Sequence, residues 1–133
     1  MEGIGFELYH SLKQMEKRAG IRVEEIYVGG GGARSSVACQ ILSDLFGLPV
    51  KRTQTHEVSA VGAAMAAFLA QGVFRDYDEA IHSMVHEGDV FLPDSDRHKI
   101  YGQLYSGVYA RLYARLEPLY RRISQITKRS DAL

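Results

Sequence analysis

The fold of this chain is decided by residues 26–36, IYVGGGGARSS, in which an apolar segment runs directly into four consecutive glycines. Glycine adopts backbone dihedrals that are closed to other residues, and its missing side chain lets a ligand approach the main chain. An apolar pattern with helical spacing follows the two serines. A strand, a glycine-rich turn and a helix N-terminus in this order present backbone N–H groups to a phosphate or a nucleotide. The stretch therefore predicts a nucleotide-binding α/β protein, and it leaves open which nucleotide fold this is.

The composition is that of an ordinary globular domain. The chain has 133 residues, of which 46% are hydrophobic and 24% are charged, enough for one domain with a real core. Sixteen basic and sixteen acidic residues cancel, so we expect neither nucleic acid nor a membrane as partner. Cys39 is the single cysteine, which excludes a disulfide framework, and its helical surroundings predict a buried thiol. Without a leader or a bilayer-spanning apolar run, we expect a cytoplasmic protein.

Hydrophobic periodicity predicts five helices and two short strands. The predicted helices are about 5–18, 35 or 36 to 46, 58–70, 76–85 and one starting at Asp94 or Ser95, and the predicted strands are 21–28 and 48–53. Residues 88–93 are expected to be a partly extended connector, Pro118 to kink or restart the last helix, and residues 128–133 to fray. Parallel strands usually belong to larger sheets that are covered on both faces. The shortage of strands therefore favours a piece of a longer protein over strands supplied by another chain.

The last predicted helix carries tyrosines at every fourth position. They are Tyr101, Tyr105, Tyr109 and Tyr113. Such a ladder could stack on nucleic-acid bases. Burial in a core or at a domain interface is the better interpretation, because tyrosine rings bury well while their hydroxyl groups stay in contact with water.

The residues alone leave the chemistry of the glycine run open. No Gly-Lys-Ser/Thr follows at the spacing of a phosphate-binding loop. Ser35 stands where a dinucleotide fingerprint has its last glycine, and the basic segment 51–53 stands where that fold has an acidic residue. His82 and His86 are four apart on a predicted helix, a spacing suitable for a metal, but they lack a third ligand.

No nucleophile with a nearby base is evident in the sequence. Asp44 and Glu57 stand apart from other candidate groups, and we expect each to be a solvated or capping carboxylate. The residues therefore predict no catalytic group and no metal ligand.

Several motifs in a fixed order carry a resemblance to a known family. They are Gly30–Ser35, Gln40, Ser43–Asp44, Leu48–Val50, Glu57–Ala64, Gly72–Phe74, Tyr77–Ala80 and Phe91–Asp94. This set closely resembles the C-terminal domain of the FGGY carbohydrate kinases, which include xylulokinases, ribulokinases and glycerol kinases. The resemblance covers nearly the whole chain. It implies a helix-rich α/β fold with few strands, part of a ribonuclease H-like domain of the actin and hexokinase type.

The resemblance also implies an ATP site. Gly30, Gly31 and Gly32 match family positions close to the phosphates and ribose of ATP, and Ser35 matches a position that borders the adenine. Arg34 would flank that site. Two further positions near it are Gln40 and Gly62. The substrates implied for the full-length enzyme are ATP with Mg²⁺ and a small sugar or polyol, of which a pentulose fits the last helix best.

Several functional elements of the FGGY kinases have no counterpart in this sequence. The family's first phosphate loop, most of its sugar site and metal contacts, and its general-base aspartate belong to an N-terminal domain. We therefore expect residues 1–133 to be a single partial domain without kinase activity of its own. Two alternatives stay open. One is a non-catalytic interaction module that binds a partner through the tyrosine-lined helix and self-associates through an exposed apolar face, and the other is a dinucleotide-binding domain.

Overall fold

Helices dominate residues 2–130, the part of the chain that the computed structural model describes. The helices are α1 (Glu2–Ala19), α2 (Ser36–Phe46), α3 (Val58–Ala70), α4 (Tyr77–Met84), α5 (Ser95–Leu104) and α6 (Ala110–Ser130). The strands are β1 (Ile26–Val28), β2 (Val50–Thr53) and β3 (Glu87–Phe91). A 3₁₀ turn at Gly31–Arg34 leads into α2, and a π-helical turn at Tyr105–Tyr109 joins α5 to α6.

The three strands form one sheet in the order β1-β2-β3. β1 is parallel to β2, with Ile26 opposite Val50, as the helix between them requires. β1 is shorter than the predicted strand 21–28, because β2 begins only after Pro49 and offers no earlier partner. The two predicted strands are thus adjacent and parallel in this sheet.

The third strand was not predicted as a strand. β3 runs antiparallel to β2, with Val50 opposite Phe91 and an irregular register between Lys51 and Thr53. Its sequence, EGDVF, contains residues that are depleted in strands and lacks a strong alternating pattern. Gly88 allows the pairing, since a Cβ there would lie 2.9 Å from the carbonyl oxygen of Arg52. Tertiary contact with β2 therefore decides this element.

Local signals predicted the helix ends well. Ser35 caps α2 by accepting the N–H of Ala38 at 3.2 Å, and Gly47 ends it in the left-handed conformation with φ 67°. α3 begins and ends where predicted. At α4, Asp76 accepts the N–H of Glu79 at 2.9 Å, while the Glu79 carboxylate reaches back to the N–H of Arg75. The capping box is thus present, with its return bond one residue earlier than in the usual pattern.

Of the two alternatives predicted at Pro118, a kink or a restart of the helix, the restart is wrong. α6 runs from Ala110 to Ser130 with Pro118 inside it, since proline removes one helical hydrogen bond and the bonds on both sides remain. The predicted fraying of the tail is not seen at 128–130, where the backbone is helical, and residues 131–133 lie outside the described part of the chain.

The tyrosines of the last helices pack α1 against the body of the protein. The Phe6 ring lies 6.0 Å from Tyr101, 6.4 Å from Tyr105 and 5.2 Å from Tyr109, between ring centroids. Their hydroxyl groups contact polar side chains of α1, for example the Glu7 carboxylate at 2.6 Å from Tyr109. These three tyrosines are half-buried and pack against α1, which agrees with the predicted core or domain-interface position. Tyr113 is 70% exposed and lies outside the cluster.

We expect the ionisation of Tyr109 to depend on Glu7. The hydrogen bond to that carboxylate, with burial, raises the pKa of Tyr109 to about 12. Because the folded state favours the neutral phenol, its contribution to stability is fully present below the ordinary tyrosine pKa of about 10 and is lost as the pH rises toward about 12. Phenolate absorbance of the wild type minus that of Tyr109→Phe measures this directly. Glu7→Gln should lower the pKa of Tyr109; a wild-type value near 10 would contradict the contact.

The main core lies where α2 packs on the sheet and on α5, and its apolar members are Ala33, Ala38, Cys39, Leu45 and Val50. Met65 of α3 and Ala80 of α4 are buried where those two helices pack on each other. Cys39 is 1% exposed as predicted, and burial raises the pKa of its thiol. Among residues 2–130, no helix is at once long enough and apolar enough to cross a lipid bilayer.

Candidate functional site

The glycine run forms an open turn between β1 and α2. Gly30 has φ 81° and ψ −172°, a conformation that favours glycine, and its carbonyl accepts the N–H of Ala33 at 3.1 Å. A Cβ atom built on Gly30, Gly31 or Gly32 would meet no atom within 4 Å. The first N–H groups of a helix have no partner inside that helix. The turn therefore offers backbone donors on a surface that a ligand can approach closely.

Gly29 has a different role from the three glycines that follow it. A Cβ at Gly29 would lie 2.6 Å from Cγ1 of Val58, the first residue of α3. Arg34 Nη2 donates to Glu57 Oε1 at 3.1 Å, between side chains that are 64% and 72% exposed. The glycine turn and the start of α3 are thus in contact, with an exposed ion pair that contributes little stability on its own.

The end of β2 lies under the glycine turn. Arg52 Nη1 donates to the carbonyl oxygens of Ala33 at 3.0 Å and of Arg34 at 3.3 Å, and its Nη2 is paired with the Asp89 carboxylate. Sequence reasoning missed this role and used the basic segment only as an argument against a dinucleotide fold. The position of Arg52 at the end of the second predicted strand could have indicated this role, because the carboxyl ends of adjacent parallel strands lie at one edge of a sheet.

The charge of Lys51, the neighbouring basic residue on β2, is also neutralised. Lys51 Nζ lies 2.9 Å from Glu25 Oε2 and 3.3 Å from Glu87 Oε1. The hydrogen bond to Glu25, with those to Tyr27 and Glu87, raises the pKa of Lys51. Neither basic residue at the end of β2 therefore presents an unbalanced charge to a ligand.

The predicted site residues fall into two groups. The structure brings Gly30, Gly31, Gly32, Arg34 and Ser35 together in one turn. The Ser35 hydroxyl oxygen already accepts the capping bond from α2, and its hydrogen is still able to donate to another group.

Gln40 and Gly62 face other parts of the molecule. Gln40 Nε2 donates to Asp44 Oδ1 at 2.8 Å and to the Leu92 carbonyl at 2.9 Å, so its amide ties α2 to the segment before α5. Gly62 lies one turn beyond Val58 in α3 and borders an apolar cavity of about 200 Å³ between α3 and α4. A Cβ at Gly62 would meet no atom within 4 Å.

The histidine pair does not have the predicted geometry. α4 ends at Met84, so His86 lies beyond the helix that carries His82. Nδ1 of His82 is 2.7 Å from the carbonyl oxygen of Asp78. Across the described positions, 2–130, no three His, Cys, Asp or Glu side chains are grouped in a way that could hold a metal ion.

Asp44 was predicted to be a solvated or capping carboxylate; the solvated alternative is wrong, whereas a bond to a backbone N–H at a helix start is present. Asp44 is 1% exposed, and besides Gln40 it accepts the N–H of Asp94 at 2.9 Å and Nη1 of Arg97 at 3.4 Å. Asp94 is the N-cap of α5, so the buried carboxylate fixes the start of that helix to α2. The sequence places Asp44 fifty residues from these partners, and only folding brings them together. Glu57 is exposed as predicted.

Comparison with known families decides what this arrangement belongs to. Residues 1–71, more than half of the chain, match the model of the FGGY family of carbohydrate kinases, C-terminal domain. The chain belongs to this family. The matched region contains the glycine turn, α2, β2 and α3, so the geometry described above is that of an FGGY C-terminal domain.

Individual relatives agree with the family assignment. The chain is 34% identical over 127 residues to a xylulose kinase of Staphylococcus epidermidis, covering 96% of this chain and 24% of the relative. It is 43% identical over 79 residues to a glycerol kinase of Dechloromonas aromatica, covering 59% of this chain and 16% of the relative. The chain thus spans about a quarter or less of the length of these curated FGGY kinases.

A solved structure confirms the fold class. The ligand-bound xylulose kinase of Lactobacillus acidophilus superposes with a TM-score of 0.80 at 22% identity, over 92% of this chain and 24% of that one. The helix-rich α/β fold with a small sheet is that of the C-terminal domain of sugar kinases of the actin and hexokinase type. The family membership predicted from the sequence is likewise confirmed.

Proposed function

We propose that this chain forms the nucleotide side of the active-site cleft of a carbohydrate kinase. The reaction of the full-length enzyme would transfer the γ-phosphoryl group of ATP to a hydroxyl of a small sugar, a pentulose. The observation that carries the proposal is the open main chain at Gly30–Gly32, directly ahead of the capped N-terminus of α2. Backbone N–H groups at a helix start, where the helix dipole is positive, favour an anionic ligand.

Each predicted residue takes a role that its contacts allow. Gly31 and Gly32 would bring backbone donors to the phosphates and ribose, and the Ser35 hydroxyl would face the base. Arg34 would border the nucleotide, since its exposed pair with Glu57 is weak enough to rearrange. Gln40 would act through Asp44 by holding α2 to α5. Gly62, which has no side chain, would leave space for the nucleotide beside the start of α3.

Chemistry in this reaction is mostly positioning and neutralisation of phosphate charge. Among residues 2–130, the carboxylates do not assemble into a cluster that fits Mg²⁺, so we assign no metal-binding residue in this chain. We place the general base that accepts the hydroxyl proton, and most of the sugar contacts, outside these residues.

We further propose that residues 1–133 are one partial domain of a longer kinase. The chain spans 24% of a xylulose kinase relative. A largely apolar groove of about 480 Å³ runs beside β1, from Ile4 and Leu8 of α1 to Gly32, and its lining suits protein better than phosphate. An enzyme that needs two walls of a cleft is expected to be inactive when one wall is tested alone.

The proposal is tested by titrating this chain with ATP while following its backbone amide signals. We expect weak binding, with a Kd above about 100 μM, and shifts concentrated at residues 30–36. Gly31→Val should weaken binding at least roughly tenfold, because the new side chain would occupy ligand space and its Cβ meets no protein atom within 4 Å. Gly3→Val is the matched control, since its Cβ also meets no atom within 4 Å.

Besides the absence of any response to ATP, two outcomes would contradict the proposal. Equal ATP binding by the wild type and Gly31→Val would remove the glycine turn from the site. ADP release with phosphorylation of a pentulose by this chain alone would show that it holds a complete active site.

A second candidate function is a non-catalytic module that binds another protein through α6. The observation that favours it is an apolar stripe on that helix, in which Leu119, Ile123 and Ile126 are 60%, 56% and 58% exposed. A specific oligomer in sedimentation, with no response to ATP, would favour this module. The family membership leaves no support for the dinucleotide-binding alternative.

A further inference from the structure

Two side chains reach the carbonyl end of the glycine turn: the Cys39 thiol lies 3.5 Å from the Ala33 carbonyl oxygen, and Arg52 contacts the carbonyls of both Ala33 and Arg34. Arg52 Nη1 lies 3.0 Å from the carbonyl oxygen of Ala33 and 3.3 Å from that of Arg34, and it also lies 3.4 Å from the Ser36 hydroxyl. These acceptors belong to the last two residues of the 3₁₀ turn and the first residue of α2. One guanidinium nitrogen therefore ties the end of the turn to the start of the helix.

Arg52 is itself fixed from several sides. Its Nη2 is paired with Asp89 of β3, and its guanidinium carbon lies 5.5 Å from the centre of the Phe91 ring. Gly88 lets β3 pass close to the Arg52 backbone. The Arg52 side chain is 14% exposed, whereas that of Asp89 is 63% exposed. The planar fork of arginine can face carbonyl acceptors with one nitrogen and a carboxylate with the other, which lysine cannot do.

The two carbonyl bonds have a consequence for the donors of the turn. A trans peptide unit is planar, so its carbonyl and its N–H point in opposite directions. Holding the Ala33 carbonyl toward Arg52 aims the N–H of Arg34 away from it, and holding the Arg34 carbonyl does the same for the N–H of Ser35. The latter N–H lies 3.4 Å from the Gly32 carbonyl, a long bond that closes the turn. Arg52 thus helps to orient both peptide planes, and it is the side chain that contacts both carbonyls.

We propose that Arg52 is a positioning residue for the nucleotide site, which holds the glycine turn in its binding conformation without touching the ligand. This inference rests on the proposed function, since it assigns Arg52 to the ATP site described there. A turn that contains four glycines loses much conformational freedom when it is ordered, and a ligand that had to order it would bind more weakly. Arg52 supplies that order before the nucleotide arrives.

The test compares Arg52→Met, Arg52→Lys and Asp89→Asn with the wild type, by ATP titration and by hydrogen exchange of the backbone amides. Arg52→Met keeps the apolar stem and removes both carbonyl bonds, so ATP affinity should fall about tenfold or more. Arg52→Lys should show an intermediate loss. Asp89→Asn keeps the carbonyl bonds and weakens only the ion pair, so its affinity should stay within about twofold of the wild type.

Hydrogen exchange separates positioning from a general loss of stability. In the free protein, Arg52→Met should speed exchange at Arg34 and Ser35 at least about fivefold, while amides of α5 change by less than about twofold. If Arg52→Met fails to fold, Arg52→Lys carries the same comparison with its charge and stem retained.

The outcomes distinguish this inference from the proposed function. If the wild type binds ATP and Arg52→Met binds it equally well, the role of Arg52 is overturned and the proposed function stands. If the wild type does not respond to ATP, the proposed function fails. The role of Arg52 in ordering the turn is then tested by hydrogen exchange of the backbone amides alone. Unchanged exchange at Arg34 and Ser35 in Arg52→Met would overturn it in either case.

Discussion

Asp44→Ala is expected to lower the free energy of unfolding by about 3 kcal/mol, because the change leaves buried donors without an acceptor. The side chain is 2% exposed. Its loss removes the partner of the Gln40 amide, of the Asp94 N–H and of Arg97. The Arg97 side chain is 63% exposed, so water can hydrate its guanidinium group after the change. The expected loss is therefore at the lower end of the range of unfolding free energies for broken buried ion pairs. Urea unfolding followed by circular dichroism measures the effect.

Two further variants separate the contributions at Asp44. Asp44→Asn keeps an oxygen for the Asp94 N–H and removes the charge, so it should cost about 1 kcal/mol. Asp96→Ala in α5 removes a carboxylate that is 87% exposed and pairs with Lys99, and it should change stability by less than about 0.5 kcal/mol. If Asp44→Ala costs no more than Asp96→Ala, the buried network does not hold α5 in place.

The second large effect is expected at Gly47. Gly47→Ala should lower the free energy of unfolding by about 3 kcal/mol, from a backbone and a packing contribution. The residue has φ 67°, which costs an L side chain about 1–2 kcal/mol. Its Cβ would also lie 2.5 Å from Cε1 of His98, a ring held by a 2.9 Å contact between Nδ1 and the Asp44 carbonyl oxygen. Thermal and urea unfolding of the purified variants measure the loss.

Gly20 offers a matched control for the backbone part. It has φ 66°, and a Cβ there would meet no atom within 4 Å, so Gly20→Ala should cost only about 1 kcal/mol. The difference between the two variants reports the contact with His98. In a double-mutant cycle, His98→Ala should remove that difference. A Gly47→Ala variant as stable as Gly20→Ala would show that the ring moves aside freely.

The helices and their ends could be predicted from the sequence because they depend on neighbours along the chain. Ser35, Gly47 and Asp76 act within four residues of themselves, and each does in the structure what its residue type predicts. The bounds of α3, Val58–Ala70, were also predicted correctly, because they depend on the residues within that segment. The order of motifs also carried the family resemblance, and the family model confirms it.

The candidate site was predictable only in part. The turn of Gly30–Gly32 with Arg34 and Ser35 is contiguous in sequence, so its members had to lie together. Gln40 was predicted near the nucleotide, and the structure shows its amide bonded to Asp44 and to the Leu92 carbonyl. The position of Gln40 on its helix does not specify the hydrogen-bond partner of its side chain, because that partner depends on which groups the fold places nearby.

The glycine run at residues 26–36 determined a strand, a turn and a capped helix, since glycine and serine act through their own backbone and that of nearby residues. The tertiary structure decided which surfaces that turn meets. Arg52 reaches it from the next strand, Val58 closes on Gly29 from α3, and β3 becomes a strand only beside β2. These contacts join residues far apart in the chain, and their free energy exists only once the sheet and helices have packed.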